Sequence, residues 1–198
     1  PGNMIIDFAV DILTKGKMNF DKDGKMAKKG SVSAELLNKM MAHPFIKREA
    51  PKSTGRKTFG KEYTEKIIKK GKKLNLTNND IIATITDFTA LSIIDSYQRF
   101  LTEDIEEIII GGGGSYNPEL LRKIKIYTEE KLSKNIEVLN QEELGYSSDA
   151  KEAIAFAILG YQTMKGKSNN VPGATGAKNN IVLGEIVPGN NFYKFLNW

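Results

Sequence analysis

Ile108-Ile109-Ile110-Gly111-Gly112-Gly113-Gly114-Ser115-Tyr116-Asn117-Pro118 is the stretch on which the fold turns. A β-branched run, charged only on its near side (Glu106, Glu107), ends in four glycines, and Pro118 opens a helical pattern over 119–131. The reading is strand, bare-backbone turn, helix, with proline at the helix start where its missing N–H costs nothing. Glycines without a Cβ let a flat ligand or a phosphate lie against main-chain N–H groups. The N-terminus of the next helix is expected to add partial positive charge and unpaired donors. In an open α/β sheet, ligands bind beyond the carboxyl ends of the strands, where this loop belongs. The alternative is a glycine-rich connector without chemical role, and a glycine cluster alone does not separate the two.

Working outward, 135–139 reads as a second short strand. Strand, helix and strand in this order predict a right-handed crossover and a parallel pair. Upstream, Thr77-Asn78-Asn79-Asp80 resembles a capping box. The helix it opens carries Ile81, Ile85, Phe88, Leu91, Ile94, Tyr97 and Leu101 at spacings of three and four, and it leads into the strand at 105–110. Downstream, Asp149-Ala150-Lys151-Glu152 starts another helix. Its body, 153–159, is apolar on nearly every side, which predicts a helix central in its layer. A loop rich in Gly, Asn and Pro (166–180), a last strand (181–187) and an aromatic tail (Phe192, Tyr193, Phe195, Trp198) follow.

The first part of the chain reads as helical. Asn3 is placed to cap an apolar helix from Met4 that Gly16 ends. Asp21-Lys22-Asp23-Gly24 is faintly like a calcium loop, but the EF-hand spacing and its closing glutamate are absent, so that reading is rejected. A short helix at 31–41 turns Leu36, Leu37, Met40 and Met41 inward, and His43-Pro44-Phe45 breaks it. Residues 50–60 are irregular, basic and rich in hydroxyls; they either hold an anionic or hydroxylated ligand or close a loop on themselves, and the second is preferred. His43 is the one histidine, so a packed or surface imidazole is expected rather than a metal ligand. Residues 14–76 read as a helical insertion in an α/β domain, with 77–198 as the α/β core.

Composition narrows the class. The 198 residues suffice for one sizeable domain or two small ones. Without cysteine, disulfides and thiolate metal sites are excluded, and a reducing cytoplasm is permitted though not shown. The longest strongly apolar run, 153–159, is far too short to span a bilayer, and no signal-peptide pattern opens the chain. Because the chain starts at Pro1 and runs almost directly into a helix, it reads as a processed piece or a domain of a longer protein. The net charge of +5 is uneven: residues 1–80 hold 18 Lys/Arg against 9 Asp/Glu, and 81–198 hold 11 against 15. The lysines of 61–73 fall on the polar side of a helix without interleaved aromatics, so a solvated surface is preferred to nucleic-acid binding.

Glu152 is the carboxylate of most interest. It sits in the first turn of a helix after a strand and a turn, where it could hold a substrate hydroxyl. With Asp149 as N-cap it would instead stand at N3 and fold back as a capping-box partner, and spacing alone favours the cap. No nucleophile–base pair stands out, and no Walker A sequence is present.

Five ordered motifs carry a resemblance: Pro1-Gly2-Asn3-Met4-Ile5-Ile6-Asp7; Pro51-Lys52-Ser53-Thr54-Gly55-Arg56; Gly111 to Pro118; Asp149-Ala150-Lys151-Glu152-Ala153-Ile154-Ala155-Phe156-Ala157; and Thr175-Gly176-Ala177 with Val182-Leu183-Gly184. Together, over essentially the whole chain, they resemble the C-terminal half of the anhydro-N-acetylmuramic acid kinases. The resemblance implies an α/β fold: one lobe of an actin-like, sugar-kinase (ribonuclease H-like) ATPase that closes over ATP and Mg2+. It implies a cytoplasmic, dimeric enzyme that uses water to open a 1,6-anhydro amino sugar and phosphorylates its 6-oxygen in peptidoglycan recycling. Gly111, Gly112, Gly113 and Gly114 would contact the nucleotide, with Asn117 bracing the loop. Glu152 would reach the sugar. Pro1, Gly2 and Asn3 would end a second phosphate motif, whose catalytic aspartate would lie three positions before Pro1. The base and a first phosphate motif in an N-terminal lobe would therefore lie outside these residues, and the chain alone is expected to be inactive. Lys57 departs from the acidic residue usual after the arginine, which removes support for a role of the Lys52–Arg56 loop. The rival reading is a non-catalytic sugar- or nucleotide-binding regulatory module of the same superfamily.

Overall fold

The computed structural model describes residues 1–49, 52–190 and 194. The chain divides into two units, Pro1–Ser148 and Asp149–Trp198. The first unit runs α1 (Met4–Thr14), a 3-10 turn (Lys22–Gly24), α2 (Lys25–Lys29), α3 (Ala34–Met41), α4 (Pro44–Lys47), α5 (Arg56–Phe59), α6 (Lys61–Lys73), α7 (Asn78–Phe100), β1 (Glu107–Ile110), a second 3-10 turn (Gly113–Tyr116), α8 (Pro118–Lys131) and β2 (Glu137–Asn140). The two strands pair in parallel, Glu107 opposite Glu137 through Ile110 opposite Asn140. The protein is thus a mixed α/β structure with a small parallel sheet and many helices, and the strand–helix–strand unit forms as its pattern requires.

The core is built around α7. Thr77 caps it: its side chain accepts from the Asp80 N–H while Asp80 reaches back to the Thr77 N–H. Every residue of 81–90 is buried, because α1, α2, α3 and α8 all pack on this helix. The spacing of three and four therefore understates the burial. Two of the threonines on the remaining sides satisfy themselves locally, Thr84 donating to Asp80 O at 2.7 Å and Thr89 to Ile85 O at 3.0 Å, whereas the buried Thr86 hydroxyl has no partner among the described residues. Ile81, Ile82, Ile85, Phe88 and Ile94 are inaccessible to solvent, and each such side chain contributes about 1.5–3 kcal/mol through burial.

α1 buries Ile5, Ile6, Ala9 and Val10. It ends at Lys15, in the left-handed region at φ 57°, followed by Gly16 at φ 78°. α3 begins at 34, later than the pattern suggests. The Ser31 N–H donates to Asp80 Oδ1 (2.7 Å) and the Ser33 N–H to Thr84 Oγ1 (3.0 Å), so 31–33 are held extended on α7. The lysines of α6 are exposed, and Ile67 and Ile68 are buried on its other side. His43 is a packed imidazole: its Nδ1 accepts from the Phe45 N–H at 3.1 Å, its ring lies 4.9 Å from that of Phe59, and burial holds its pKa below the ordinary value.

The second unit holds α9 (Lys151–Met164) and α10 (Pro172–Thr175). Two expectations are corrected here. The apolar helix is not central in a layer: Ile154, Phe156 and Ile158 are 50%, 70% and 55% exposed. The described part of this unit offers one long helix and one turn of another, too little to cover it. Residues 181–187 form no strand, because no neighbouring strand is present among the described residues of the unit. Side chains hold this segment instead. Asn170 Oδ1 accepts from the Ile181 N–H at 2.8 Å, Asn169 Oδ1 accepts from the Leu183 N–H, and Thr163 Oγ1 donates to Leu183 O at 2.6 Å. The aromatic tail (Phe192, Tyr193, Phe195, Trp198) lies outside the described residues, as does Pro51.

Candidate nucleotide site

Each of the four glycines has a different surrounding. Gly111 lies under the Gln141 side chain, which a Cβ would overlap. Gly112 takes φ 86° and ψ −179°, a conformation open almost only to glycine. Gly113 and Gly114 are different. Neither has a positive φ, and a Cβ on either would meet only ordinary contacts, with Asn3 Nδ2 at 3.7 Å for Gly113 and with Asn3 and Leu120 at 3.6 Å for Gly114. The backbone demands glycine at 112, at 111 the Gln141 side chain would have to move aside, and neither demand applies at 113 and 114.

Gly113 and Gly114 border a cleft of about 500 Å³ with Asn3, Asp7, Phe20, Tyr116 and Asn117 among its other walls. The structure therefore brings Asn3, from the first motif, against the glycine turn, from the third. Neither the Gly113 nor the Gly114 N–H donates to another described residue. Beyond the turn, Ser115 closes it by donating from N and from Oγ to Gly112 O, at 2.9 and 2.8 Å. A second clasp comes from the turn after β2. Glu142 accepts from Tyr116 Oη (2.9 Å), from the Ser148 N–H (2.8 Å) and from Ser148 Oγ (3.1 Å). These bonds, the Ser148 N–H first, hold its carboxyl down at about 2.

Asn117 caps α8: its Oδ1 accepts from the Glu119 and Leu120 N–H groups at 3.1 and 3.2 Å. The expectation of unpaired donors at this helix start is corrected accordingly. Pro118 has no N–H, the next two are taken by Asn117, and Leu121 N donates to Asn117 O. Among the described residues, the unpartnered donors at this corner are therefore the Gly113 and Gly114 N–H groups, not those of the helix start.

The rejected calcium loop has a structural use. Asp21, buried, accepts from the Met26 and Ala27 N–H groups at 2.8 and 2.9 Å, and so caps α2. Among the described residues no three His, Cys, Asp or Glu side chains come together as a metal site. Lys52 closes its own loop by donating to the carbonyls of Phe45, Ile46 and Arg48. Ser53, Thr54 and Gly55 are exposed, and Arg56 borders a second cleft of about 480 Å³ beside Asn3, Asp7 and Asp11.

Glu152 lies in the second unit. Its capping role is corrected: Ala150, not Asp149, is the N-cap of α9 and makes no side-chain cap. Glu152 is exposed and has no hydrogen-bond partner among the described residues. What the sequence reading missed is Asp7, which its helical spacing, one turn after Asn3, does place on the same face.

Residues 1–189 match the family described as anhydro-N-acetylmuramic acid kinase. The chain belongs to the anhydro-N-acetylmuramic acid kinase family. It is 45% identical over 188 residues to the anhydro-N-acetylmuramic acid kinase of Caldanaerobacter subterraneus subsp. tengcongensis, covering 94% of this chain and 46% of that protein. A Bacillus cereus kinase of the same name is also 45% identical, over 94% of this chain and 47% of its own length. The Clostridioides difficile protein is 44% identical over 95% and 47%. The chain spans about half the length of the curated relatives it matches.

Proposed function

We propose that these residues form part of the nucleotide platform of a carbohydrate kinase, with ATP lying against Gly112, Gly113 and Gly114. The kinase opens 1,6-anhydro-N-acetylmuramic acid with water and phosphorylates its 6-oxygen to give N-acetylmuramic acid 6-phosphate. One observation carries this reading: Gly113 and Gly114 have no conformational or packing reason to be glycine, yet they border a cleft and their N–H groups have no partner among the described residues. A ligand that must approach the backbone supplies the missing reason. Family membership supplies the chemistry.

In this reading the fold is one lobe of an actin-like ATPase, with 14–76 as its helical insertion. Pro1, Gly2 and Asn3 end a phosphate motif, Asn117 braces the glycine turn, and Glu152 serves the sugar. ATP would carry Mg2+ on its phosphates, and when bound the ion would supply charge neutralisation for phosphoryl transfer. The exposed apolar side chains of α9 support the proposal that the working enzyme is a homodimer.

The test substitutes Gly113→Ala and Gly114→Ala. Both should leave the thermal midpoint within about 2 °C of wild type, since neither Cβ collides. Both should weaken ATP binding at least roughly tenfold, equivalent to about 1.4 kcal/mol. Unchanged ATP affinity in both variants would rule out the platform. Turnover is to be read as sugar phosphate formed from ATP, Mg2+ and the anhydro sugar in a polypeptide of the relatives' length. The 198-residue chain alone is expected to show none.

A further inference from the structure

The apolar surface of α9 has two parts. Ile154, Ile158 and Tyr161, at spacings of four and three, share one stripe along the helix. Phe156, Leu159 and Met164 lie off that stripe, and with Leu183, Ile186 and Val187 they line a groove of about 650 Å³. Phe156 is 70% exposed and Val187 84%.

Side chains fasten one wall of this groove to the other. Thr163 Oγ1 donates to Leu183 O at 2.6 Å, Asn169 Nδ2 donates to Thr163 Oγ1 at 2.9 Å, and Asn169 Oδ1 accepts from the Leu183 N–H. Gly184 takes φ 109°, and a Cβ there would come within 3.2 Å of Thr163 Oγ1, so glycine lets this segment lie close against the helix. These polar groups are occupied with one another. What the groove offers a newcomer is apolar surface, with one charged wall residue, Glu185.

The chain carries a segment of matching chemistry. Residues 190–198 hold Phe192, Tyr193, Phe195, Leu196 and Trp198, and their one charged side chain, Lys194, is opposite in sign to Glu185. They follow Val187, itself a wall of the groove, after Pro188 and Gly189. The family match ends at residue 189, so the kinase reading assigns this tail nothing. Eight residues past Asn190 reach at most about 28 Å, whereas α9 rises only about 12 Å from 156 to 164. Side chains of this size gain most by leaving water together.

We propose that the groove of α9 is the seat of the chain's own C-terminal tail, which packs its aromatic side chains over Phe156, Leu159, Met164 and Leu183 and straps 181–187 to the helix. The strap supplies cover to a helix that buries none of its described residues. The stripe of Ile154, Ile158 and Tyr161 stays open for the contact between copies proposed above.

Trp198 is the only tryptophan of the chain and reports on the tail directly. In the native 198-residue chain its emission should lie to the blue of its emission in denaturant, and acrylamide should quench it several-fold less. Both should be unchanged on dilution, since tail and seat belong to one molecule. Phe156→Ser and Leu183→Ser should move emission and quenching toward the denatured values, while Ile154→Ser, outside the groove, should leave them alone. Native emission that matches the denatured chain overturns the proposal, and this reading needs no variant to fold. A blue shift lost on dilution overturns it as well, because the groove then takes a second copy of the chain. A blue shift indifferent to both groove substitutions, with helix content retained by circular dichroism, puts the tail elsewhere and overturns the seat. Should a groove variant lose helix content, nuclear Overhauser contacts between the Trp198 ring and Phe156 or Leu183 in the wild type decide: their presence supports the seat and their absence overturns it.

Discussion

Gly24 lies tight against Asn117: a Cβ at position 24 would stand 2.7 Å from Asn117 Oδ1 and equally close to Glu119 Cβ. The oxygen it approaches is the one that caps α8. The turn before α2 is thus packed directly on the start of the helix that follows the glycine loop. Gly24 also has φ 63°, in the left-handed region. Gly24→Ala should therefore destabilise the first unit by roughly 2–5 kcal/mol, from strain plus overpacking. Denaturant unfolding measures it, and a loss under about 1 kcal/mol would show that the turn yields freely.

Asn117→Ala removes the cap without adding bulk. The expected cost is about 1–2 kcal/mol. Asn117→Asp keeps an acceptor at the same place and should recover most of that loss. If both variants lose the same amount, the cap is not what Asn117 contributes.

Asp87 is 2% exposed in the middle of α7. It is held by Lys123 Nζ at 2.7 Å and by Tyr127 Oη, which donates at 2.6 Å, both from α8. Burial, with the Asp87 bond second, raises the Tyr127 phenol above its ordinary value. Asp87→Ala leaves Lys123 without its counter-charge and should cost roughly 3–5 kcal/mol. The double variant Asp87→Leu/Lys123→Met should recover much of it, which a thermodynamic cycle will show.

Asp7 makes a stability prediction with a definite sign. Its folded-state carboxyl lies at about 6 against an ordinary 3.8. The folded protein therefore binds this proton more tightly than the unfolded chain does. The contribution is fully present below pH 3.8 and is lost as pH rises through about 6. Two units correspond to almost 3 kcal/mol at most, which partial exposure reduces to about 1–2 kcal/mol. Asp7→Asn should gain that amount at pH 7.5 and nothing at pH 3.5. An equal effect at both values would mean that Asp7 is not the group concerned.

Glu142 runs the opposite way, with its carboxyl held at about 2. Its clasp on Tyr116 and Ser148 should persist through neutral and mildly acid pH and open only as pH falls toward 2. Glu142→Gln should leave global stability nearly unchanged and speed hydrogen exchange at the Ser148 N–H severalfold. Unaltered exchange would show that the clasp does not order this turn.

Local pattern carried a large part of this molecule. The capping box at Thr77 and Asp80, Pro118 at N1 and a parallel pair of strands, read at 105–110 and 135–139 and found at 107–110 and 137–140, were all legible, because caps, fixed φ angles and β-branched runs act within a few residues. The apolar 153–159 pattern misled because apolarity reports what a helix could bury, and only its neighbours determine what it does bury. The extended 181–187 segment failed for the same reason: a strand needs a partner, and the sequence pattern of one segment cannot supply it.

By itself the sequence determined the strand–glycine–helix unit, the family and the absence of thiol chemistry, since each depends on residue identity and short spacing. Only the tertiary structure decided which glycines the fold requires, that Asn3 lies beside Gly114, and that Asp7 is half-buried at that point. Those are contacts between segments about a hundred residues apart in the chain, and packing sets them rather than local preference.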